Sequence, residues 1–495
     1  MINDLVFCTP EEAGVKSKNI IKFIERLKER KTNLHSFMMV RNGKILTEAY
    51  YKPFDKDFMH RLYSSSKTYV SIAVGMLIDE GKLRLDDKVC DVIPELVEKE
   101  QDKWLKECTI EDALKMSVPM LTDTYFALDY SEWAWTFFNH PTRSKSIKPA
   151  GTVFNYNTSA TFILDVVVEK ITGKPFLEYM RPVFDKIGVS KDIWCIKSPD
   201  GYSWGGSGVV CTLRDFAKFA ELLLNKGKYK DEQILPRWYV EKATSKQISN
   251  IRDNHYTIRR EYGYGYQIWI TKNGFALCGM GSQFAYCFPD KNFLFVCQGD
   301  TQSSNDTEGD YIYEQLVHEI YENISDEVLV AGEEYEILKE KIENLTLNVD
   351  YGAPHSKFEK EINGIYYDLE DNILGWKWFK FDFSGEKGVL TYENARGEKK
   401  INFGCNSLDK GTFPETHYYD KQVSVPANRE FDCLSDLSWI EEQKILLRVY
   451  VTDTNFGSCF MTFGFKNDEV GVMLNRRAEF YMDDYQGYAG GKKRQ

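Results

Sequence analysis

The spacing of apolar residues near the start of the chain follows two different periods. Between residues 17 and 30 the apolar side chains recur every three or four positions, which predicts an amphipathic helix. From residue 36 to residue 51 two extended apolar runs flank Asn42–Gly43, a two-residue turn signal. This second pattern predicts a β-hairpin that follows the helix.

One stretch, from about Ser64 to Glu80, is apolar on nearly every side. A helix without a polar face is typically buried in the centre of a protein, and Gly81 supplies a typical helix end. The stretch therefore predicts a central helix whose first turn contains Ser64 and Lys67.

Strand and helix signals continue to about residue 323. A glycine-rich loop at 205–208 precedes an amphipathic helix over about 212–226. Three runs have the composition of strands: 264–270, 283–288 and 293–298. A helix over about 308–323 ends the pattern, and we predict a first domain at residues 1–323.

The last third of the chain has a different pattern. Residues 324–350 are acidic and helix-prone, which predicts a linker helix. After residue 351 short aromatic runs alternate with Gly, Asn and Asp turns, as in a small antiparallel β-domain. We therefore expect an accessory barrel or sandwich at residues 351–495.

Composition and charge argue against several classes of protein. The 495 residues carry a net charge of −12 without a long basic run, which is unlike a nucleic-acid-binding protein. The N-terminal residues lack the pattern of a signal peptide, and no apolar run is long enough to span a membrane. Eleven cysteines without CxxC pairs indicate reduced thiols. We expect a cytoplasmic protein that acts on a small molecule, and the sequence leaves its oligomeric state open.

Ser64 and Lys67 form the strongest chemical signal in the sequence. A serine and a lysine three residues apart at a helix start lie one turn apart on the same face. A serine hydroxyl needs a nearby base to act as a nucleophile, and burial lowers the pKa of a lysine, which can then accept a proton. The helix start also supplies backbone N–H groups for a developing oxyanion. A chance S-x-x-K string is the alternative, but a lysine buried without a role is costly.

Other catalytic signatures are absent from the sequence. It contains no G-x-S-x-G motif, no H-E-x-x-H motif and no Walker A loop, and its seven histidines never occur at metal-ligand spacing. We therefore expect neither a metal nor an organic cofactor. For an aromatic group around Trp133 and Phe137, core or rim packing is favoured over a role as a pocket wall.

The residues from Tyr63 through Ser64-Ser-Ser-Lys67 into the apolar helix resemble the first motif block of the serine β-lactamase and penicillin-binding-protein superfamily. They are most similar to the class C β-lactamases and the family VIII esterases. The resemblance extends over about residues 10–323. It implies a mixed α+β fold of the β-lactamase/transpeptidase type, in which helices flank an antiparallel sheet and a helical subdomain carries Ser64. It also implies that Lys67 is the base for Ser64.

A second block, Phe154-Asn-Tyr156-Asn-Thr158, resembles the family's Y-x-N motif. The resemblance implies that Tyr156 assists Lys67 and carries a proton to the leaving group. Thr158 stands where asparagine is usual, and its shorter side chain would reach less far towards a substrate amide.

A third block, Gly-Met280-Gly281-Ser282-Gln283, resembles the strand that borders the family's site. Gly281 keeps a glycine for close approach of the substrate, and Ser282 follows it. The resemblance implies that the backbone N–H groups of Ser64 and Gln283 form the oxyanion hole. Met280 falls where the family carries Lys, His or Trp, so binding of a substrate carboxylate is expected to weaken.

Together the three blocks predict a serine hydrolase of esterase or amidase type. It would form an acyl-enzyme on Ser64 with a small ester, amide or β-lactam-like substrate. Two alternatives stay open: a D-amino-acid peptidase or amidase, and a catalytically silent ligand-binding protein with the same fold. The presence of Ser64, Lys67 and Tyr156 argues against the silent protein, because a costly buried lysine is easily lost once the chemistry is lost.

Overall fold

A computed structural model describes residues 6–98, 102–124, 132–251, 261–302, 307–347, 351–415, 430–453, 456–478 and 480–495. These residues form two compact units, one that ends at Leu347 and one that contains the described residues from 351 onwards. Independent folding of the two domains predicted from the sequence stays a prediction. Limited proteolysis between about residues 324 and 355 tests it.

The first unit combines helices with strands. Its α-helices, in chain order, are α1 (Ser17–Glu29), α2 (Ser66–Asp79), α3 (Val89–Val92), α4 (Lys103–Lys106), α5 (Ile110–Leu114), α6 (Trp133–Asn139), α7 (Thr158–Thr172), α8 (Phe176–Tyr179), α9 (Arg181–Ile187), α10 (Leu213–Leu224), α11 (Arg237–Ala243), α12 (Thr307–Gln315) and α13 (Glu333–Glu343). The helix predicted at 17–30 is therefore confirmed as α1.

The strands of the first unit form one large sheet and two small ones. They are β1 (Leu34–Arg41), β2 (Lys44–Tyr50), β3 (His60–Arg61), β4 (Trp194–Cys195), β5 (Val209–Cys211), β6 (Lys228–Tyr229), β7 (Glu232–Gln233), β8 (Trp269–Thr271), β9 (Gly274–Gly279), β10 (Gln283–Phe288) and β11 (Phe293–Gly299). The large sheet has the order β2–β1–β11–β10–β9–β8, and its neighbouring strands are antiparallel. The predicted hairpin is its β1–β2 pair, with positive φ at both Asn42 and Gly43 in the turn.

Helices cover both faces of the large sheet. Phe37 and Met39 of β1 belong to the same apolar core as α1 and α12. On the other face α10 packs against β1, β10 and β11, and the thiol of Cys287 in β10 contacts the carbonyl of Ala220 in α10. Alternation of side chains between two covered faces explains why every residue of β1 is buried.

The predicted central helix is α2. It is buried almost throughout and packs against α7, α8 and α11. Gly75 allows the close approach of α11, since a Cβ there would lie 2.3 Å from the ring of Tyr239. The helix starts slightly later than predicted, because Tyr63–Ser65 form a 3-10 turn before it.

The aromatic group near α6 is part of the core. Trp133, Phe137 and Phe138 are fully buried, and the Trp133 ring meets Phe162 and Trp204 edge-on. Core packing, the favoured interpretation of these residues, is confirmed.

Two predicted elements differ from the structure. The run at 264–270 was expected to be a strand, but only Trp269–Thr271 is extended, as β8. Gln267 has a φ of +61° and its side-chain amide donates to the carbonyl of Ala113 at 2.9 Å, which interrupts the strand. The acidic helix is also shorter than 324–350, because α13 covers only Glu333–Glu343 and its Leu338 shares a core with α1.

The second unit is mostly β-structure. It contains α14 (Glu359–Ile362), β12 (Tyr366–Leu369), β13 (Trp378–Ser384), β14 (Lys387–Asn394), β15 (Gly397–Cys405), β16 (Asp409–Phe413), β17 (Phe431–Glu441), β18 (Lys444–Thr452), β19 (Phe456–Lys466), β20 (Glu469–Ala478) and β21 (Gly487–Lys493). The strand order is β15–β14–β13–β12–β21–β20–β19–β18–β17–β16, and β15 also pairs with β17, which closes the sheet into a barrel. Buried aromatic rings such as Phe379, Phe381 and Phe463 pack together in its core.

The predicted fold class is confirmed: helices flank an antiparallel sheet in the first unit, and the second unit is an antiparallel β-barrel. Over the part of the chain that the structure describes, no helix combines the length and apolar character that a membrane crossing requires.

Candidate active site

Ser64 lies in the 3-10 turn Tyr63–Ser65, which runs directly into α2. Lys67 follows in the first turn of α2, so the two residues lie one helical turn apart, as their spacing predicts. Ser64 is partly exposed, whereas only 1% of Lys67 is exposed. A reachable hydroxyl beside a buried amine is the arrangement that activation of a serine nucleophile requires.

The buried amino group of Lys67 has a defined hydrogen-bond acceptor. Its Nζ donates to the backbone carbonyl of Gly206 at 2.6 Å. Burial lowers the pKa of Lys67 to about 7, and the carboxylate of Asp123 acts in the opposite direction. Near neutral pH a substantial fraction of Lys67 is therefore unprotonated and able to take a proton.

The residue before Ser64 has an unusual backbone conformation. Tyr63 has a φ of +46°, which for a bulky side chain costs on the order of 1–3 kcal/mol. The guanidinium of Arg61 lies 4.2 Å from the Tyr63 ring centroid and 4.6 Å from that of Trp204. These contacts hold the turn that presents Ser64.

The pairing of two short strands brings the glycine-rich loop 205–208 close to Lys67. β3 leads into the Ser64 turn and pairs with β5, which begins directly after the loop. Arg61 donates from Nε to the carbonyl of Ser207 and from Nη2 to its hydroxyl, both at 2.9 Å. A Cβ on Gly206 would lie 2.6 Å from the methyl carbon of Thr158, so a glycine is required there.

The carbonyl of Gly206 in this loop is the acceptor for Lys67, a contact that the sequence pattern did not predict. The glycine composition was the available signal. It indicated close backbone approach but not what the backbone approaches.

Tyr156 lies two residues before α7, with the centroid of its ring 5.3 Å from Nζ of Lys67. The ring stacks on Trp269 of β8, at 5.4 Å between centroids, and meets Tyr264 edge-on at 6.4 Å. The second sequence block is therefore adjacent to the first in space. The role of Tyr156 as a proton carrier stays a prediction.

Thr158 is the first residue of α7 and is partly exposed beside Gly206. The helix begins here because the side chain of Asn157 accepts a hydrogen bond from the backbone N–H of Ser159 at 2.9 Å. Contact between Thr158 and a substrate stays a prediction.

Gln283, the first residue of β10, brings the third block against the Ser64 turn. Its carbonyl accepts a hydrogen bond from the hydroxyl of Ser65 at 2.7 Å. Its partner across the hairpin, Gly279, approaches the turn so closely that a Cβ would lie 2.1 Å from the carbonyl oxygen of Leu62. This proximity is what an oxyanion hole shared by the N–H groups of Ser64 and Gln283 requires.

Met280, Gly281 and Ser282 form the turn between β9 and β10. Gly281 has a φ of +77° and Ser282 a φ of +74°, so the glycine suits a left-handed turn. Ser282 is buried, with its hydroxyl 2.6 Å from that of Thr301, and it would meet a substrate only through its backbone. Met280 is the exposed member of the turn, at 37%.

Two histidines that are far apart in sequence meet near this region. Nδ1 of His35 lies 2.8 Å from Nε2 of His60, and His60 precedes Ser64 by four residues. Burial lowers the pKa of His35 to about 3 and that of His60 well below its usual value, so both stay neutral near pH 7. Within the described ranges, no group of three or more His, Cys, Asp or Glu side chains could hold a metal ion.

Comparisons with known proteins identify the family of this chain. A family model described as Beta-lactamase matches residues 22–317. A 6-aminohexanoate-dimer hydrolase from Paenarthrobacter ureafaciens is 25% identical over 293 residues, which are 54% of this chain and 72% of that protein.

Solved structures with a similar backbone fold include two whose sequence identity to this chain is low. The octameric penicillin-binding protein homologue from Pyrococcus abyssi is 15% identical, with 96% of this chain and 99% of that chain covered and a TM-score of 0.48. The D-amino acid amidase from Ochrobactrum anthropi SV3 is 14% identical, with 62% and 97% covered and a TM-score of 0.48.

The family match extends from within α1 to just beyond α12 and spans more than half of the 495 residues. It includes all three sequence blocks and the residues that surround Ser64. The chain therefore belongs to the beta-lactamase family and is a hydrolase.

Proposed function

We propose that this chain is a serine hydrolase that forms an acyl-enzyme on Ser64 with a small neutral ester or amide. The observation that carries the proposal is the state of Lys67. Its amino group is buried one helical turn from Ser64, and its pKa is lowered to about 7. A lysine in this state is a base at neutral pH, matched to the activation of a serine hydroxyl.

In the first half of the reaction, neutral Lys67 takes the hydroxyl proton of Ser64, and Oγ of Ser64 attacks the carbonyl carbon of the substrate. The carbonyl oxygen becomes an oxyanion, to which the N–H groups of Ser64 and Gln283 donate. The bond to the leaving alcohol or amine then breaks, and the leaving group receives the proton from Lys67 by way of Tyr156.

In the second half, water attacks the acyl-enzyme. Tyr156 and Lys67 take its proton and return one to Oγ of Ser64, so the acid product leaves and the starting state is restored. The same groups serve both halves because each half forms and collapses a tetrahedral oxyanion at the same carbon.

One observation supports neutral substrates, and a second concerns the bond that is cleaved. Met280, at the exposed tip of the β9–β10 turn, offers a thioether where the family carries Lys, His or Trp. A charge-assisted hydrogen bond to a substrate carboxylate contributes about 1.5–3 kcal/mol, which anionic substrates would lose here and neutral ones would not. The name of the 25% identical relative, a 6-aminohexanoate-dimer hydrolase, supports an amide as the bond that is cleaved.

A fluorophosphonate probe followed by intact mass measurement tests the proposal. The native protein should gain the mass of one probe, and Ser64→Ala should gain none. Ser71→Ala is the matched control: Ser71 is fully buried further along α2, where its hydroxyl contacts Tyr239 and Tyr266, so its loss should leave a labelled protein. Labelling of Ser64→Ala would contradict the assignment of the nucleophile, and absence of labelling in the native protein would favour a silent ligand-binding protein.

A further inference from the structure

Residues 121–124 lie beside the second sequence block and are hydrogen-bonded to its side chains. Two side chains of that block and one that follows it bind backbone atoms of the segment: Asn155 Nδ2 donates to Leu121 O at 2.6 Å, Asn157 Nδ2 donates to Thr122 O at 2.9 Å, and Ser159 Oγ accepts from Thr124 N at 2.8 Å. The segment is therefore held in register with the start of α7, and Asp123 occupies its middle.

The carboxylate of Asp123 is itself anchored. Its Oδ1 accepts from the backbone N–H of Ser159 at 2.9 Å and lies 3.4 Å from the Ser159 hydroxyl. Burial raises the pKa of Asp123, while the amides at the start of α7 and the charge of Lys67 lower it. The interaction is reciprocal, because Asp123 also raises the pKa of Lys67 against the effect of burial.

We propose that Asp123 is a positioning residue, whose anchored carboxylate stabilises the positive charge that Lys67 gains when it takes the proton of Ser64. The proposal rests on the proposed function, since it assumes that Lys67 is the base. A fixed negative charge beside a forming cation acts strongly in a site with little water and needs no rearrangement during the reaction.

Besides the hydroxyl of Ser64, whose proton it takes, the amino group of Lys67 has three groups acting on it in the described part of the chain. They include the carboxylate of Asp123, the ring of Tyr156 and the carbonyl of Gly206. The carboxyl group of Asp165 in α7 instead accepts from the N–H of Gly205 at 3.3 Å, and its pKa is raised by burial and then by Glu169, without a contribution from Lys67. Of the two carboxyl groups, Asp123 is therefore the one that acts on Lys67.

The effect of removing the charge has a definite sign. Asp123→Asn keeps an oxygen that can accept from Ser159 but deletes the negative charge. The pKa of Lys67 should then fall, so the acid limb of the activity profile, which follows the loss of neutral Lys67, should move to lower pH by about one unit or more. The plateau at higher pH should fall about tenfold or more, because one unit of pKa equals a factor of ten in the stability of the charged form.

The experiment measures the second-order rate of Ser64 labelling by a fluorophosphonate between pH 5 and pH 10, in the full-length chain. Asp123→Asn should show the shifted limb and the lower plateau. Asp123→Glu restores the charge and should return the limb towards its native position. Ser159→Ala, the control, loosens the segment without removing a charge and should lower the rate, if at all, without moving the limb.

An acid limb that stays in place in Asp123→Asn overturns the proposal, and so does an equal shift in Ser159→Ala. Should Asp123→Asn fold poorly, Asp123→Ser provides the same loss of charge with a smaller side chain. Failure of the proposed function gives a different result, since Ser64→Ala would then be labelled or the native protein would not be.

Discussion

The positive charges of two buried side chains in this chain are compensated in different ways. Arg448 of β18 is fully buried opposite Asp436 of β17, to which its Nε donates at 3.1 Å and its Nη2 also donates. Its guanidinium also lies over the ring of Tyr351 at 3.7 Å. Lys67 of α2 is equally buried, but its hydrogen bond goes to the carbonyl of Gly206, and the carboxylate of Asp123 acts on it through space.

The difference between Arg448 and Lys67 corresponds to a structural role for the arginine and a chemical role for the lysine. A guanidinium does not lose its proton in a protein, so its burial leaves a charge to be compensated, which a carboxylate in contact with it does for Arg448. A lysine can lose its proton when burial makes the charge costly, and the neutral amine that results is a base. Arg448 and Asp436 therefore hold two neighbouring strands together, whereas Lys67 is poised to exchange a proton with Ser64.

The largest expected effect comes from removing the base. Lys67→Met should lower kcat/KM for a p-nitrophenyl ester by about a hundredfold to ten-thousandfold, the usual contribution of a general base. The melting temperature should stay the same or rise, because the variant buries an apolar side chain instead of an amine. Steady-state kinetics and a thermal melt on the same preparation check both, and a strongly destabilised variant would contradict the contrast drawn with Arg448.

The opposite outcome is expected for the ion pair of the second unit. Arg448→Met leaves Asp436 buried without its partner and should destabilise that unit by about 3–5 kcal/mol. The combined variant Arg448→Met/Asp436→Leu should recover most of the loss, because neither charge is then left buried. Urea unfolding of the native protein and both variants provides the comparison. Equal stability of the two variants would show that the pair is not what holds the strands.

A pH effect distinguishes the two cations further. The pKa of Lys67 is depressed from 10.5 to about 7 in the folded protein, so between these values the folded state has lost a proton that the unfolded chain keeps. Stability from this group should therefore rise with pH from about 7 to about 10.5. At pH 6 the melting temperature of Lys67→Met should exceed that of the native protein by the largest amount. The two melting temperatures should converge by pH 10. A constant difference across this range would show that the pKa of Lys67 is not depressed.

The smallest effect concerns the uncharged side chain at position 280. Met280→Lys places an ammonium at the exposed tip of the β9–β10 turn, where it should improve kcat/KM for nitrocefin about tenfold, since about 1.4 kcal/mol corresponds to that factor. Hydrolysis of a neutral p-nitrophenyl ester should change little. Met280→Gln, of similar size but uncharged, is the control and should improve neither. Efficient hydrolysis of nitrocefin by the native protein would instead show that another residue already supplies the charge.

The elements that depend on local pattern were predictable from the sequence. The hairpin at Asn42–Gly43, the buried helix that follows Ser64 and the short strands of the barrel all have a period or a turn signal of their own. The three-residue spacing of Ser64 and Lys67 likewise determined that they lie one helical turn apart. The prediction of a strand at 264–270 is wrong because the side chain of Gln267 binds the backbone near Ala113. The two residues are more than 150 positions apart, so no local pattern contains this contact.

The surroundings of Lys67 depend on contacts between distant segments of the folded chain. The β3–β5 pairing brings the carbonyl of Gly206 to its amino group, and the fastening of residues 121–124 to the start of α7 brings Asp123 close. The positive φ of Tyr63 is likewise held by contacts with Arg61 rather than by its own preference. The residue types that the site contains follow from the motifs in the sequence. Their electrostatic environment depends on burial and on distances between segments far apart in the chain, which exist only once the chain has folded.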